Sequence, residues 1–132
     1  MKSLVVEDDF ISRTVLQKML LDYGRCDAAV NGKEAVQAFS LAVEEGDPYD
    51  LICLDIMMPE MDGKEALNLI RQKERDMNIS PKDESKIIMI TALDTAKDVI
   101  DTYYKGGCTA YLVKPINKAK ITGTISDLGL KK

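Results

Sequence analysis

Apolar residues fall in two kinds of pattern along this chain. Leu4–Val6, Leu51–Leu54 and Ile87–Ile90 are short unbroken apolar runs, and Ala110–Val113 is a fourth that includes Tyr111. Runs this short, apolar at every position, read as strands covered on both faces. Between them the spacing becomes helical. Ile11, Val15, Leu16, Met19, Leu20 and Tyr23 make one such stripe, with Asp9 or Ser12 placed to cap its start and Gly24 standing where a left-handed cap would end it. Arg25 to Val30 is a weaker strand, and Asn31-Gly32 turns the chain into a second helix that buries Ala35, Ala38, Phe39, Ala42 and Val43 before Gly46, Asp47 and Pro48 close it. A third helix runs from Lys64 to about Met77 on Ala66, Leu67 and Ile70, with a heavily charged outer side. A polar connection containing Pro81 follows it. Asp94 or Thr95 caps a fourth helix carrying Val99, Ile100, Tyr103 and Tyr104, which stops at Gly106-Gly107, and Ile121, Ile125 and Leu128 mark a final helix ahead of Gly129.

Strand and helix thus alternate five times, with no internal repeat and no linker long enough to separate two units, so residues 1–132 are expected to form a single domain. Two-sided strands alternating with helices predict an α/β fold, a parallel sheet with helices on both faces in a three-layer α-β-α sandwich. In a parallel sheet every strand ends at the same edge. The first strand runs into Glu7-Asp8-Asp9, the third into Asp55, the fourth into Thr91 and the fifth into Lys114-Pro115, so Glu7, Asp8, Asp55, Thr91 and Lys114 are predicted to meet there. That edge is where open α/β sheets bind ligands.

Charge and composition narrow the chemistry. The net charge is −4 and only the terminal Lys131-Lys132 makes a basic run, so a nucleic-acid footprint is not expected. The chain has no His, and its three cysteines, Cys26, Cys53 and Cys108, lack zinc-ligand spacing. They fit a reducing, cytoplasmic setting. The apolar start Leu4–Val6 is too short for a secretory leader, and no stretch approaches the roughly 20 residues of a membrane span.

Clustered carboxylates ionise together only with a cation among them. Two or three acids plus a backbone carbonyl form a hard oxygen site suited to Mg²⁺ or Mn²⁺. A lysine and a threonine hydroxyl facing that ion are what a phosphoryl group needs around its remaining oxygens, and Asp55 is then placed as a nucleophile giving an acyl phosphate.

The motifs VVEDD, DIMMPEMDG, MITA and AYLVKP, in this order, resemble the receiver domain of two-component response regulators over essentially the whole chain. The resemblance implies a flavodoxin-like (βα)5 fold with strand order 2-1-3-4-5. It makes Asp55 the phosphoacceptor, Asp8 and Asp55 direct metal ligands, Glu7 a ligand acting largely through water, and the Met57 backbone carbonyl a further ligand. Thr91 and Lys114 would hold the phosphoryl oxygens, Tyr111 matches the switch aromatic, and the Lys114-Pro115 bond would be cis. The implied protein is no ordinary enzyme but a phosphoacceptor that catalyses its own phosphorylation and dephosphorylation. Its donor would be a sensor histidine kinase or a phosphotransfer protein. Thr91 would move toward the new phosphoryl group, Tyr111 would turn into the space it leaves, and the face of the fourth helix, last strand and final helix would then bind a downstream protein. A stand-alone, monomeric, chemotaxis-type regulator is the expected form, with a phosphorelay intermediate as the alternative. Met57 and Leu93, apolar where water would approach the acyl phosphate, predict slow loss of phosphate.

Other classes fit less well. An aspartate-nucleophile phosphohydrolase needs a general acid two residues after the nucleophile, and here that position is Met57. A dinucleotide-binding domain would carry G-x-G-x-x-G after its first strand. A binding module with a vestigial site would not need every one of these residue types intact.

Overall fold

The computed structural model describes residues 1–56, 61–92, 101 and 104–130. Strands β1 (Ser3–Val6), β2 (Cys26–Ala29), β3 (Leu51–Asp55), β4 (Lys86–Thr91) and β5 (Ala110–Val113) form one sheet in the order β2-β1-β3-β4-β5, with every neighbouring pair parallel. This is the expected α/β fold and strand order. Helices α1 (Phe10–Leu21), α2 (Gly32–Glu44), α3 (Gly63–Asp76) and a C-terminal helix (Lys118–Asp127) cover it.

The unbroken apolar runs work because a strand alternates its side chains between faces. Leu4, Val6, Ile52, Leu54, Ile87 and Met89 pack with Phe39 of α2 and Leu67 and Ile70 of α3. Val5, Leu51, Cys53, Ile88 and Ile90 pack with Leu16 and Leu20 of α1 and Ile121 and Ile125 of the C-terminal helix. Burying each such aliphatic side chain stabilises the fold by about 1.5–3 kcal/mol relative to exposing it.

Side-chain caps set where the helices begin. Asp9, Asn31, Asp62 and Asn117 each accept a hydrogen bond from the backbone N–H three residues on, at 2.8–2.9 Å. Of the two caps offered for α1, Asp9 is therefore the one used. Asp22 ends that helix, and Gly24 has φ +139° rather than a left-handed helical value. Glycine is needed there because a Cβ would overlap the backbone of Met1.

Two expectations about helix faces are corrected. Ile11 and Val15, expected to be buried, are 70% and 45% exposed. Leu16 and Leu20 hold the stripe that meets the sheet, and Val15 lies about 100° round the helix from Leu16. Arg71 and Glu74, on what reads as the charged outer side of α3, are buried instead, because they bond each other and the backbone at Ser85 and Gly107. The predicted fourth helix lies outside the described residues, apart from Asp101 and the part from Tyr104 on. No helix among the described residues is long and apolar enough to cross a membrane.

Candidate phosphoryl and metal site

Strand register brings the candidate residues to one edge. Val6 pairs with Leu54 and Asp55 with Ile90, so Glu7, one past Val6, comes level with Asp55. Thr91 is one residue beyond Ile90 and pairs with Val113, which sets Lys114 just past it. All five predicted residues, Glu7, Asp8, Asp55, Thr91 and Lys114, thus stand at the carboxyl ends of the strands.

Glu7 and Asp55 are almost fully buried, while Asp8 is exposed. Lys114 Nζ lies 3.4 Å from Glu7 Oε2 and 3.4 Å from Asp55 Oδ2, a single cation between two carboxylates. Burial, followed by a hydrogen bond and repulsion from Asp55, pushes the Glu7 carboxyl up to about 7, against a weaker pull from Asp9 N–H and Lys114. Burial opposes the charge on Lys114, but Asp55 and Glu7 together outweigh it and raise its pKa. One ammonium is therefore shared between two buried acids. Carboxylate oxygens of Glu7, Asp8 and Asp55 lie within 4.8 Å of one another, a hard three-oxygen donor set that can hold a divalent cation.

Thr91 supplies the other half of the arrangement. Its Oγ1 is buried and is the one buried side-chain polar atom without a hydrogen-bond partner among the described residues. Buried hydroxyls are normally bonded, which sets Thr91 apart from the other buried side-chain polar atoms among the described residues.

Some contributors were not legible from the chain. Arg13 donates from Nη1 to the carbonyls of Glu7 at 2.9 Å and Asp8 at 3.3 Å, fixing the acidic turn after β1. Its place one turn into α1 was the only available signal. Gly63 closes the other side, where a Cβ would stand 2.6 Å from the Asp55 carbonyl, so α3 can begin this close to Asp55 only with glycine. Beside Glu7 and Lys114, a cavity of about 570 Å³ is walled by Ile11, Val15, Met19, Pro115 and Ile116, which gives the exposed apolar face of α1 a location next to the site. The Lys114–Pro115 peptide bond is cis. Tyr111, on β5, is 38% exposed and meets Tyr104 edge to face, with ring centroids 5.7 Å apart. Met57, with its carbonyl, and Leu93 lie outside the described residues.

The model of the response regulator receiver domain matches residues 3–126. Hybrid signal transduction histidine kinase B of Dictyostelium discoideum is 38% identical over 126 residues, covering 91% of this chain and 6% of that protein. Against hybrid kinase L of the same organism the chain likewise spans only 7% of the relative's length. Among solved structures, the receiver domain of the histidine kinase CKI1 from Arabidopsis thaliana complexed with Mg²⁺ is 29% identical, with a TM-score of 0.81, covering 96% of this chain and 90% of that one. Chemotaxis protein CheY4 of Vibrio cholerae is 26% identical with a TM-score of 0.75, and 96% of each chain is covered.

Proposed function

From the premise that this chain belongs to the response regulator receiver domain family of two-component signalling, we propose that Asp55 is its phosphoacceptor and that the chain works as a phosphorylation-dependent switch. The observation that carries this is the pairing of a three-carboxylate cluster able to hold a cation with a buried Thr91 hydroxyl, without a hydrogen bond among the described residues, at the same edge. Both features are costly in an empty site and useful in a phosphorylated one.

The phosphorus–nitrogen bond of a phosphohistidine protonated on its other ring nitrogen breaks as an Asp55 carboxylate oxygen bonds the phosphorus; the electron pair goes to the ring nitrogen, leaving neutral imidazole and an acyl phosphate. Glu7, Asp8 and Asp55, with the Met57 carbonyl, are the residues that would hold Mg²⁺ or Mn²⁺, the ion that neutralises charge building on the phosphoryl oxygens. Lys114 would bind a phosphoryl oxygen, exchanging part of its contact with Asp55 for the new group. The Thr91 hydroxyl donates to another. Moving toward it shifts the end of β4 against β5, and Tyr111, already half-exposed beside Tyr104, is the ring that repacks in response. The apolar face of Ile11 and Val15 beside Glu7 and Lys114 is where the donor rests. A histidine kinase or phosphotransfer protein fills that role.

Relatives that are hybrid histidine kinases favour a relay, in which the phosphoryl group passes on to a phosphotransfer protein. The chemotaxis-type reading, a regulator that acts by binding its target when phosphorylated, draws support from the likeness to CheY4.

The deciding experiment is incubation with acetyl phosphate or phosphoramidate, with and without Mg²⁺, followed by intact mass. A Mg²⁺-dependent gain of about 80 Da, one phosphoryl group, is expected in the wild type and is absent from Asp55→Asn. A gain that persists in Asp55→Asn would refute the assignment, and no gain in either protein would identify a receiver that signals without phosphorylation.

A further inference from the structure

Away from the phosphoryl edge, at the amino end of the sheet, a second cavity of about 500 Å³ opens between the end of α3, the start of β4 and the loop leading into β5. Its walls include Arg71, Arg75, Lys86 and Lys105, and Glu84 is the one carboxylate among its lining residues. Four cations gathered around one cavity is unexpected in a chain of net charge −4.

Much of this charge is free to bind. Neither Lys86 nor Lys105 forms an ion pair among the described residues. Among the described residues Arg75 bonds the neutral amide of Gln72 and forms no ion pair. Arg71 is more telling, since its side chain is 8% exposed and its Nε and Nη1 are committed to Gly107 O, Glu74 and Ser85 O. Its Nη2 has no partner among the described residues. Arg71 also lines the cavity, and Nη2, which is not a buried unsatisfied atom, is a donor open to a further acceptor beside cations that pair with no acid among the described residues.

We propose that this cavity binds a small anion carrying two or more phosphate groups. A guanidinium fork presents paired donors to phosphate oxygens, and the surrounding lysines supply point charge. The volume lies in the range of small-molecule sites, larger than one inorganic phosphate fills, and the excess of cations calls for more charge than a single carboxylate brings. The ligand would bridge α3 to the loop before β5, the two elements that Arg71 already ties together through Gly107.

Inorganic pyrophosphate, titrated without divalent metal into the full chain by calorimetry, with amide shifts followed by NMR, tests this site separately from Asp55. Saturable one-to-one binding is expected, with shifts centred on Lys86, Gly106, Gly107 and Thr109. Arg75→Gln combined with Lys105→Gln, both at exposed positions that leave the core intact, should weaken binding by about tenfold or more. Lys33→Gln, a charge loss on α2, should leave it unchanged. No saturation by roughly millimolar pyrophosphate, equal weakening by Lys33→Gln, or shifts centred on the Asp55 edge would overturn the proposal.

Discussion

Arg71 and Glu74 carry their charges as deep into the protein as Glu7 and Asp55 do, every one of these side chains being less than a tenth exposed. Their circumstances are opposite. At the amino edge Arg71 Nη1 meets Glu74 Oε1 at 2.6 Å, Glu74 Oε2 accepts from Ser85 N–H at 2.9 Å, and Arg71 also donates to the carbonyls of Ser85 and Gly107. Burial raises the Glu74 pKa, and Arg71 and Ser85 N–H work against that rise. At the carboxyl edge one half-exposed lysine faces two buried acids at 3.4 Å, and the nearby Thr91 hydroxyl bonds nothing among the described residues. Both clusters cost desolvation energy. In the first, bonds within the fold largely offset it; in the second, fewer bonds do so among the described residues, which is the contrast expected between a structural cluster and one that takes up a cation and a phosphoryl group.

The largest effect should come from breaking the closed cluster. Arg71→Ala leaves Glu74 buried without its counter-ion and is expected to cost about 3–5 kcal/mol of unfolding free energy by denaturant titration. Glu74→Ala strands the guanidinium and should fall in the same range. A loss below about 1 kcal/mol, the size expected of an exposed pair, would show that the amino-edge cluster is no more tightly bound into the fold than a surface ion pair.

At the open cluster, removing a charge should act in the other direction. Metal-free, Glu7 holds its proton up to about 7 in the folded protein against 4.5 for the ordinary carboxyl. The folded state therefore binds that proton more tightly. Its contribution to stability is complete below about pH 4.5, falls as pH rises through about 7, and is gone above that. In chelator at pH 8, Glu7→Gln is expected to raise stability by about 1–3 kcal/mol and to flatten the decline between those two pH values. Mg²⁺ should stabilise the wild type most, and so narrow the gap to the variant. Destabilisation by Glu7→Gln in chelator would mean that the carboxylates are already compensated.

Much of this was legible in the chain because strand runs and their stops are local signals. The five strands and the meeting of Glu7, Asp8, Asp55, Thr91 and Lys114 follow from where apolar runs end, whereas the strand order came from the family resemblance alone. What escaped depends on rotation and distant partners. Val15 and Leu16 are neighbours in sequence with opposite fates, since a helix turns them to different sides and only the sheet decides which side is buried. Arg71 and Glu74 look like solvated helix charges because their acceptors and donors, at Ser85 and Gly107, lie 11 to 36 residues along the chain. Helical spacing reports a face, but not what another segment lays against it.

The smallest expected effect is the sharpest form of the contrast, because it compares two buried hydroxyls. Ser85 Oγ donates to Tyr49 O at 2.6 Å, and Ser85→Ala leaves that buried carbonyl short of a donor, an expected loss of about 1 kcal/mol. Thr91 Oγ1 has no such bond among the described residues, so Thr91→Val keeps the shape and should leave unphosphorylated stability within about 0.5 kcal/mol of wild type, or above it. Equilibrium denaturation of both variants at one pH, without metal or phosphodonor, decides the matter. A Thr91→Val loss as large as that of Ser85→Ala would mean that the Thr91 hydroxyl already serves the resting fold. Stability kept in Thr91→Val, with the phosphorylated form destabilised relative to phosphorylated wild type, would mean that the hydroxyl's partner is the phosphoryl group itself, and that the resting protein carries its vacancy as part of the switch.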